Sequence, residues 1–397
     1  MKAATQQILN RFARTTEEVY NLDEFRDRLE SGRPLKIKYG VDLTAPFLHI
    51  GHAVNLWMQR DMQEHGHIVQ FLLGDFTTRI GDPTGKSKVR PVIAPEEIER
   101  NAQDFLRQVS AVLLTDPAVF EVRRNSDWFG KMPTDEFLRL LSLVTHSKLI
   151  ARDMFQRRIS AGEEIYMHEM LYPVVQGYDS KMLESDLTIV GTDQLFNELM
   201  GRFFMEKFGQ PPQVVMTTRI TPGTDGIEKQ SKSLGNYIGL ADSPRDKFGK
   251  IMSIPDALML SYFEVYTLVE LTELEPLRAA YIEDPMTWKK RLAREIVARY
   301  HGEQAAAQEE EWFTTTFSKK TAPTDARPVK VPAGMTWLEL LRRELPDRSA
   351  GDLRRLVQQG AVSLDGEKVT SEKTPVEWKG DGMVKVGKLT WFRLIRG

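Results

Sequence analysis

The sequence predicts an α/β fold: a parallel sheet covered by helices, followed by a helical region and a small α+β module. Two strand patterns favour the parallel sheet. From Lys36 onward apolar residues alternate with polar or small ones, and the stretch from Ile68 to Leu73 is nearly all apolar. A helical run lies between them, and a strand, a helix and a strand in this order form a right-handed βαβ unit. The third observation is a shift in composition at Glu303, beyond which we expect a separate module.

Length and composition limit the class of protein. The chain has 397 residues, which is too long for one hydrophobic core and predicts two or three domains. It has no cysteine, which excludes disulfides and thiolate metal sites. No apolar segment is long enough for a signal peptide or a membrane span, so we expect a cytoplasmic protein. The net charge of −2 argues against a uniformly basic surface but allows a local basic face.

The remaining elements of the sheet and its helices follow from periodicity. Predicted helices cover residues 1–33, Ala53 to Glu64, Pro95 to Leu114, Glu136 to Val144, Lys148 to Ile159, Ile165 to Asp179 and 241–300. Predicted strands cover Val119 to Arg123, Leu187 to Val190 and Gln213 to Met216. The helices around 130–165 interrupt the sheet and are interpreted as an insertion. The apolar face of this insertion is either ordinary core or a self-complementary dimer surface.

The tetrad His49-Ile50-Gly51-His52 lies where the first strand leads into a helix. Backbone N–H groups and the helix dipole attract phosphates at such a point, and Gly51 leaves room for a ligand because it has no Cβ. Two imidazoles can donate hydrogen bonds to phosphate oxygens. Zinc is disfavoured, because the helical zinc motif needs histidines four apart with a glutamate between them. Histidines at a helix start are also often incidental, so this spacing alone leaves their role open.

The loop after the second strand resembles a phosphate-binding loop but does not match one. Gly81 and Gly85 enclose three residues, whereas that motif needs four. The loop is therefore either a Gly/Pro turn with a solvated lysine, or a means of bringing Asp82 into the crevice. Ligands in parallel sheets bind at the carboxyl ends of the strands, where this loop begins.

Two further stretches carry polar side chains suited to a pocket. Tyr172, Gln176 and Asp179 have the spacing i, i+4, i+7, which puts a phenol, an amide and a carboxylate on one helix face. Such a face is either a recognition strip or a solvated surface. After the strand that ends at Val190, Gly191 and an acid at 193 suit a sugar hydroxyl.

The sequence Lys229-Gln230-Ser231-Lys232-Ser233 forms a loop with two lysines, which we call the lysine loop. Compact ammonium charges on a mobile loop suit phosphates, although a solvated surface loop explains the composition as well. Residues 303–332 lack periodic apolar residues and are interpreted as a linker.

The module from Trp337 onward is predicted to contain helices at Trp337 to Glu344 and Ala350 to Gln359. A hairpin follows, with Asp365-Gly366 at its turn. From Thr336 onward there are 12 Lys/Arg against 9 Asp/Glu, a net charge of +3 that suits a nucleic-acid backbone. The arginines concentrated on its helices are Arg342, Arg343, Arg348, Arg354 and Arg355.

The His tetrad and the lysine loop together resemble the paired signatures of class I aminoacyl-tRNA synthetases. Over nearly its whole length the chain resembles the bacterial tyrosyl-tRNA synthetases. The matching stretches are K-Y-G-V-D-L-T-A-P-F-L-H-I-G-H, F-L-L-G-D-F-T-T-R-I-G-D-P-T-G-K, Y-P-V-V-Q-G-Y-D-S, G-T-D-Q-L-F-N and K-Q-S-K-S-L-G-N-Y-I-G.

The resemblance implies a domain order and an activity. It implies a Rossmann-like catalytic domain over 1–240 with a helical dimerisation insertion around 130–165, a helical domain over 241–302, a linker over 303–332 and an S4-like RNA-binding domain over 333–397. It implies that ATP with Mg²⁺ activates L-tyrosine and that tyrosine then moves to tRNA(Tyr). It also implies a homodimer, and no metal bound by the protein itself.

By matching position, the resemblance assigns roles to individual residues. The residues assigned to catalysis are His49, His52, Lys229, Lys232 and Ser233. The residues assigned to ATP binding are Thr44, Gly51, His52, Gly191, Asp193 and Lys232. The residues assigned to tyrosine binding are Lys38, Tyr39, Asp82, Tyr172, Gln176, Asp179 and Gln194. The lysines would stabilise charge at the transferring phosphate, and Asp179 would accept a hydrogen bond from the substrate phenol. Lys38 stands where other branches of the family use a second phenol-binding residue.

Three residues depart from the family pattern. Gln230 stands where methionine is usual, Val190 replaces a first glycine, and Leu43 replaces a common proline. We expect Gln230 to leave the lysines in place while altering the packing of the loop, and Val190 to add bulk beside the ribose site. Two alternatives stay open: a tryptophanyl-tRNA synthetase, or a paralogue that binds RNA or activates an unusual amino acid.

Overall fold

The computed structural model describes residues 2–44, 47–82, 93–318, 326–387 and 390–396. The chain forms two compact units, Met1–Ala306 and Ala307–Gly397. The predicted α/β class is confirmed in the first unit, which is built on a six-stranded sheet. Its strands are β1 (Thr16–Tyr20), β2 (Lys36–Asp42), β3 (Ile68–Gly74), β4 (Phe120–Arg124), β5 (Leu187–Gly191) and β6 (Val214–Thr218).

The strand order β1-β6-β5-β2-β3-β4 creates a crevice. β2 pairs in parallel with β3 on one side and with β5 on the other. The chain therefore adds β3 and β4 on one side of β2, and then crosses over to add β5 and β6 on the other side. Ligands in open parallel sheets bind at the carboxyl ends of the strands where the order reverses in this way. The ends of β2 and β5 therefore mark the expected site.

The prediction that residues 1–33 are helical throughout is wrong in its middle. Helices α1 (Ala3–Ala13) and α2 (Leu22–Glu30) flank β1, which pairs antiparallel with β6. This edge strand reads T-E-E-V-Y, so its sequence has little apolar alternation. Its pairing partner lies almost 200 residues downstream, as in the pair Val19↔Met216, and local periodicity cannot reveal such a contact.

Helices cover both faces of the sheet. Besides α1 and α2, the helices in the described chain of the first unit are α3 (Ile50–Glu64), α4 (Thr77–Ile80), α5 (Pro95–Val109), α6 (Ser126–Phe129), α7 (Thr134–Ser142), α8 (His146–Ile150), α9 (Asp153–Ser160), α10 (Met167–Leu183), α11 (Leu195–Lys207), α12 (Pro244–Met252), α13 (Met259–Tyr266), α14 (Leu271–Glu283), α15 (Pro285–His301) and the start of α16 (Glu303–Phe313). Neighbouring residues of β3 enter different cores: Phe71 packs with α3 and α5, and Leu72 packs with α10 and α11. Alternating side chains of a doubly covered strand produce this arrangement.

The interval 303–332 is not the unstructured linker that its composition suggested. It contains α16 (Glu303–Phe313), a π-helical segment at Thr314–Ser318 and a strand, β7 (Arg327–Val331), while residues 319–325 lie outside the described chain. α16 reads E-Q-A-A-A-Q-E-E-E-W-F, and Ala, Gln and Glu favour helices without any apolar stripe. β7 is held by parallel pairing with a distant strand, which composition does not show.

The second unit is an α+β module whose predicted helices are confirmed as α17 (Trp337–Glu344) and α18 (Ala350–Gln358). Its further strands are β8 (Val362–Leu364), β9 (Glu367–Lys368), β10 (Met383–Val386) and β11 (Thr390–Arg396), in the order β7-β11-β10-β8-β9. The predicted hairpin turn is also present: Asp365 and Gly366 have φ of 47° and 90°, as a tight two-residue turn requires.

Candidate active site

A cavity of about 560 Å³ opens at the carboxyl ends of β2 and β5. Its walls come from both strands, the start of α3, one face of α10 and the lysine loop. They include most of the residues predicted for catalysis, ATP and tyrosine. Those residues are Lys38, Tyr39, Thr44, His49, Gly51, His52, Asp82, Tyr172, Gln176, Asp179, Gly191, Asp193, Gln194, Lys229 and Lys232.

The two histidines lie at the beginning of α3, where His49 is the N-cap residue. Their ring centroids are 3.8 Å apart, and His52 Nδ1 accepts a hydrogen bond from the His49 backbone N–H at 3.3 Å. Burial, helped by the charge of Lys229, lowers the pKa of His52 to about 4 and also depresses the pKa of His49. Both rings are therefore neutral at pH 7. The His52 ring then carries its proton on Nε2, where it can act as a neutral donor.

Gly51 is needed because of its close neighbours. A Cβ at this position would lie 3.0 Å from the His49 ring and 3.4 Å from Gln230 Nε2. Any side chain would thus crowd both the histidine and the lysine loop.

The segment after the lysine loop is hydrogen-bonded to the start of α3. The Ile50 N–H donates to the Ile238 carbonyl at 2.9 Å, and the Leu240 N–H donates to the Leu48 carbonyl at 2.9 Å. These bonds bring the segment after the loop beside the histidines. Lys229 Nζ lies 3.6 Å from Asp193 Oδ2, and Lys232 Nζ lies 5.2 Å from the Phe47 ring. Two cations are thus gathered beside a helix N-terminus.

Gln230 replaces the methionine of the family pattern and makes polar contacts that methionine could not. Its Nε2 donates to the Tyr266 hydroxyl at 2.9 Å, and its Oε1 accepts from the Ile238 N–H at 3.3 Å. The side chain is buried, and the Tyr266 hydroxyl also contacts Thr221. The departure therefore links the lysine loop to α13.

Asp179 lies at the buried end of the cavity, with 2% of its surface exposed. Its carboxylate accepts hydrogen bonds from Trp128 Nε1 at 2.9 Å and from Asn125 Nδ2 at 3.3 Å. Burial raises the pKa of Asp179 to about 7, against the opposing effect of the Lys38 charge. Trp128 and Asn125 were not predicted as site residues. The available signal was an asparagine directly after a sheet strand, with a tryptophan three residues later.

The other polar side chains of this wall form a network. The Tyr172 hydroxyl donates to Asp42 Oδ2 at 3.1 Å. Gln194 Nε2 donates to Asp82 Oδ2 at 2.8 Å. Asn197 Nδ2 lies within 2.9 Å of the amide oxygens of both Gln176 and Gln194. Asp42 and Asn197 were not predicted as site residues.

Lys38 forms a buried ion pair with Glu198, which was also not predicted as a site residue. Lys38 Nζ lies 2.7 Å from Glu198 Oε2, and each side chain is 2% exposed. Lys38 Nζ also donates to Ser180 Oγ at 2.8 Å, and Glu198 Oε1 accepts from Gln176 Nε2 at 2.8 Å. The ammonium therefore reaches the cavity already neutralised.

The other departures have local explanations. The buried Leu43 N–H donates to Thr78 Oγ1 at 2.6 Å, a bond that proline could not make. Val190 is half-buried and lines the cavity beside Gly191, where a Cβ would lie 2.7 Å from Asp193 Oδ1. Tyr39 stacks on Phe71 in the core, with 6.0 Å between ring centroids, although it also borders the cavity.

Comparison with known proteins identifies the family. The family model for class I tRNA synthetases specific for tryptophan and tyrosine matches residues 30–318. This chain belongs to that family. A curated tyrosine–tRNA ligase of Moorella thermoacetica is 44% identical over 375 residues, 94% of this chain and 90% of the relative. Another, from Oleidesulfovibrio alaskensis, is 42% identical over 98% of each chain.

Solved structures support the fold of this class I synthetase. The truncated mitochondrial tyrosyl-tRNA synthetase of Aspergillus nidulans has a TM-score of 0.66 at 22% identity and covers 80% of this chain and 95% of its own. The Archaeoglobus fulgidus tyrosyl-tRNA synthetase, solved with L-tyrosine, has a TM-score of 0.59 at 20% identity and covers 77% and 99%. At these identities the likeness concerns the fold.

Not every predicted residue of this class I synthetase lies at the cavity. Ser233 is exposed and is not part of the cavity wall. The predicted tRNA-binding arginines are in the second unit, with Arg342 and Arg343 on α17, Arg354 and Arg355 on α18, and Arg348 between the two helices. Arg343 also contacts Glu344 at 2.7 Å, and Arg355 pairs with Asp352, so acidic neighbours partly neutralise this group.

Neither a metal-binding cluster nor a membrane-spanning helix is found among the described residues of this synthetase. They contain no cluster of three or more His, Asp or Glu side chains that could hold a metal ion. Within the same residues, none of the helices is both long and apolar enough to cross a bilayer.

Proposed function

We propose that this synthetase is a tyrosine–tRNA ligase that uses ATP to form tyrosyl-adenylate and then charges tRNA(Tyr). The buried Asp179 carboxylate carries this proposal. Trp128 and Asn125 orient its two oxygens, and it lies at the buried end of a cavity whose other end is lined by cations. A substrate hydroxyl that donates to such an acceptor stabilises it, whereas a substrate without one leaves the acceptor unpaired at a cost.

The remaining polar groups fit the rest of the amino acid. Tyr172, Gln176 and Asp82 can bind the substrate ammonium, and Gln194 can bind its carboxyl side. The bonds that Gln176 and Gln194 make to Asn197 restrict the orientation of both amides, and this supports a preformed pocket.

The cavity also suits ATP, which enters as its magnesium complex and is a substrate. The start of α3 offers neutral histidines and the positive end of the helix dipole to phosphate oxygens, and Asp193 with Gly191 can hold the ribose. A tyrosine carboxylate oxygen attacks the α-phosphorus, and the bond to pyrophosphate breaks. Lys229 and Lys232 stabilise the charge that develops on the phosphates, and Ser233 assists from the same loop. A ribose hydroxyl of the terminal tRNA adenosine then attacks the tyrosyl carbonyl, and AMP leaves.

The second unit is proposed to bind tRNA as an S4-like domain through the five arginines of its helices, whose charge complements phosphate. The exposed apolar side chains of the insertion support a homodimer: Leu138 is 59% exposed and Ile159 is 49% exposed. The proposed domains are those implied by the family, with the interval 303–332 revised to a helix followed by a strand. A cytoplasmic location follows from the proposed partner, tRNA.

ATP–pyrophosphate exchange with each of the twenty amino acids tests the function. We expect exchange with tyrosine and charging of tRNA(Tyr). Exchange with tryptophan instead would identify the other specificity of the family. Exchange with none of the twenty, combined with RNA binding, would identify a paralogue without tyrosine activation.

A further inference from the structure

We propose that Glu198 is a positioning residue for amino-acid specificity: it holds the Lys38 ammonium away from Asp179, so that Asp179 stays available to the substrate phenol. The inference rests on the proposed function, because it explains how that specificity is maintained. Neither Lys38 nor Glu198 needs to react for this purpose.

Lys38 pairs with one buried acid, Glu198, and acts electrostatically on a second, Asp179. Lys38 Nζ lies 2.7 Å from Glu198 Oε2, with both side chains almost fully buried. Its second contact is Ser180 Oγ at 2.8 Å, and Ser180 directly follows Asp179 on α10. The Lys38 charge also acts on the Asp179 carboxyl, whose pKa it lowers. An ammonium released from Glu198 would therefore have a second carboxylate close by.

Glu198 is itself held firmly. Its Oε1 accepts from Gln176 Nε2 at 2.8 Å, and its Oε2 accepts from Gln213 Nε2 at 2.9 Å as well as from Lys38. Hydrogen bonds of this kind stabilise a buried carboxylate in its charged form. Glu198 can thus keep the ammonium of Lys38 neutralised at the cavity wall.

Glu198 matters because Lys38 and the substrate phenol would otherwise compete for the Asp179 carboxylate. The substrate phenol needs the Asp179 carboxylate as an acceptor. An ion pair between Lys38 and Asp179 would occupy that acceptor, and tyrosine would have to displace a charged donor. In the wild-type protein Glu198 removes this competitor. Tyrosine binding should therefore depend on Glu198, although the phenol does not touch it.

The test is pyrophosphate exchange with the full-length Glu198→Gln protein. Glutamine keeps the size of the side chain but removes the charge that holds Lys38. We expect KM for tyrosine to rise at least tenfold, by roughly the value of one hydrogen bond to a charged group, while KM for ATP stays unchanged. The double variant Lys38→Met/Glu198→Gln removes the competing ammonium as well, and should recover most of the lost affinity.

Glu169→Gln is the matched control, since Glu169 forms a buried ion pair with Arg158 at 2.8 Å outside the cavity wall. It should lower stability and leave KM for tyrosine unchanged. If Glu198→Gln does not fold, Glu198→Asp withdraws the carboxylate by one methylene and should raise KM for tyrosine by a smaller factor.

An unchanged KM for tyrosine in a folded Glu198 variant overturns the inference, as does a double variant no better than Glu198→Gln. Either result leaves the proposed function intact provided that the wild-type protein exchanges tyrosine. Absence of tyrosine exchange in the wild type overturns both.

Discussion

Trp128 donates its indole N–H to the Asp179 carboxylate at 2.9 Å. The two residues lie on different elements, α6 and α10, and are 51 positions apart in sequence. The bond fixes one carboxylate oxygen, and Asn125 restrains the other at 3.3 Å. An acceptor oriented in this way discriminates well between substrates with and without a hydroxyl.

Replacing Asp179 with Asn should weaken selection of tyrosine over phenylalanine. A charged acceptor becomes a neutral amide, and one of its two donors, Trp128 or Asn125, loses its partner oxygen. We expect the ratio of kcat/KM values for the two amino acids to fall at least about tenfold. Asp186→Asn changes a buried aspartate away from the cavity and should keep the ratio. Full discrimination by Asp179→Asn would show that Asp179 does not bind the phenol.

Tyrosine affinity should fall as the pH drops below about 7. Burial raises the pKa of Asp179 to about 7, with Lys38 opposing and Glu198 reinforcing the shift, so acid protonates the carboxylate within this range. Protonation removes the charged acceptor, which predicts about a tenfold loss of affinity per pH unit below the pKa. Equilibrium binding of tyrosine between pH 5.5 and 8.5 measures the effect. Asp179→Asn should flatten the profile, and an equally steep profile in that variant would assign the titration to another group.

Replacing Lys232 with Ala should slow adenylate formation far more than it weakens tyrosine binding. The ammonium is used as charge develops on the transferring phosphate, so its loss lowers kcat and kcat/KM together. By comparison with other preorganised electrostatic contacts we expect about 10²–10³-fold. Single-turnover activation measures this rate, and Lys36→Ala, a β2 lysine outside the cavity, serves as control. An unchanged rate would remove the lysine loop from the mechanism.

Replacing Gln230 with Met should loosen the lysine loop. Methionine cannot reproduce the bonds of Gln230 to the Tyr266 hydroxyl and the Ile238 N–H. Losing about 1 kcal/mol of local stability raises the open population about fivefold. Trypsin cleavage after Lys229 and Lys232 should accelerate by that factor, provided that the lysine loop opens and closes faster than trypsin cleaves it.

Tyr266→Phe provides a comparison for this change, because it deletes one of the two Gln230 bonds, together with the contact between the Tyr266 hydroxyl and Thr221. It should produce a smaller acceleration of cleavage. Equal cleavage rates in the wild type and in Gln230→Met would show that the amide does not hold the loop.

Ending the chain after Ser318 should separate amino-acid activation from tRNA charging. All residues proposed for ATP and tyrosine lie in the first compact unit, so pyrophosphate exchange should persist. The basic helices of the second unit are lost, so charging at limiting tRNA should drop. Full-length charging should also be more sensitive to salt than exchange is. Equal charging by both forms at low tRNA concentration would contradict an RNA-binding role for the second unit.

Local patterns in the sequence determined much of the architecture. The apolar strand β3, the alternating strand β2 and the helix between them are visible in residues that lie next to each other in the chain. The same is true of α17, α18 and the Asp365-Gly366 turn. Periodicity and turn chemistry act over a few residues, and the structure follows them there. The motifs likewise revealed the two histidines, the two lysines and the α10 strip that reaches the cavity.

Long-range pairing decided the rest. β1 and β7 exist because distant strands satisfy their backbone groups, and neither has a strong pattern of its own. Asp179 is bonded by Trp128 of α6, and Lys38 is paired with Glu198 of α11. The hydrogen bond between Ile50 and Ile238, which joins the start of α3 to the segment after the lysine loop, connects residues nearly 190 positions apart. A buried charge requires a partner, but the amino-acid sequence around that charge does not reveal which distant residue the partner is. Only the packing of α10 and α11 beneath β2 brought Glu198 to Lys38.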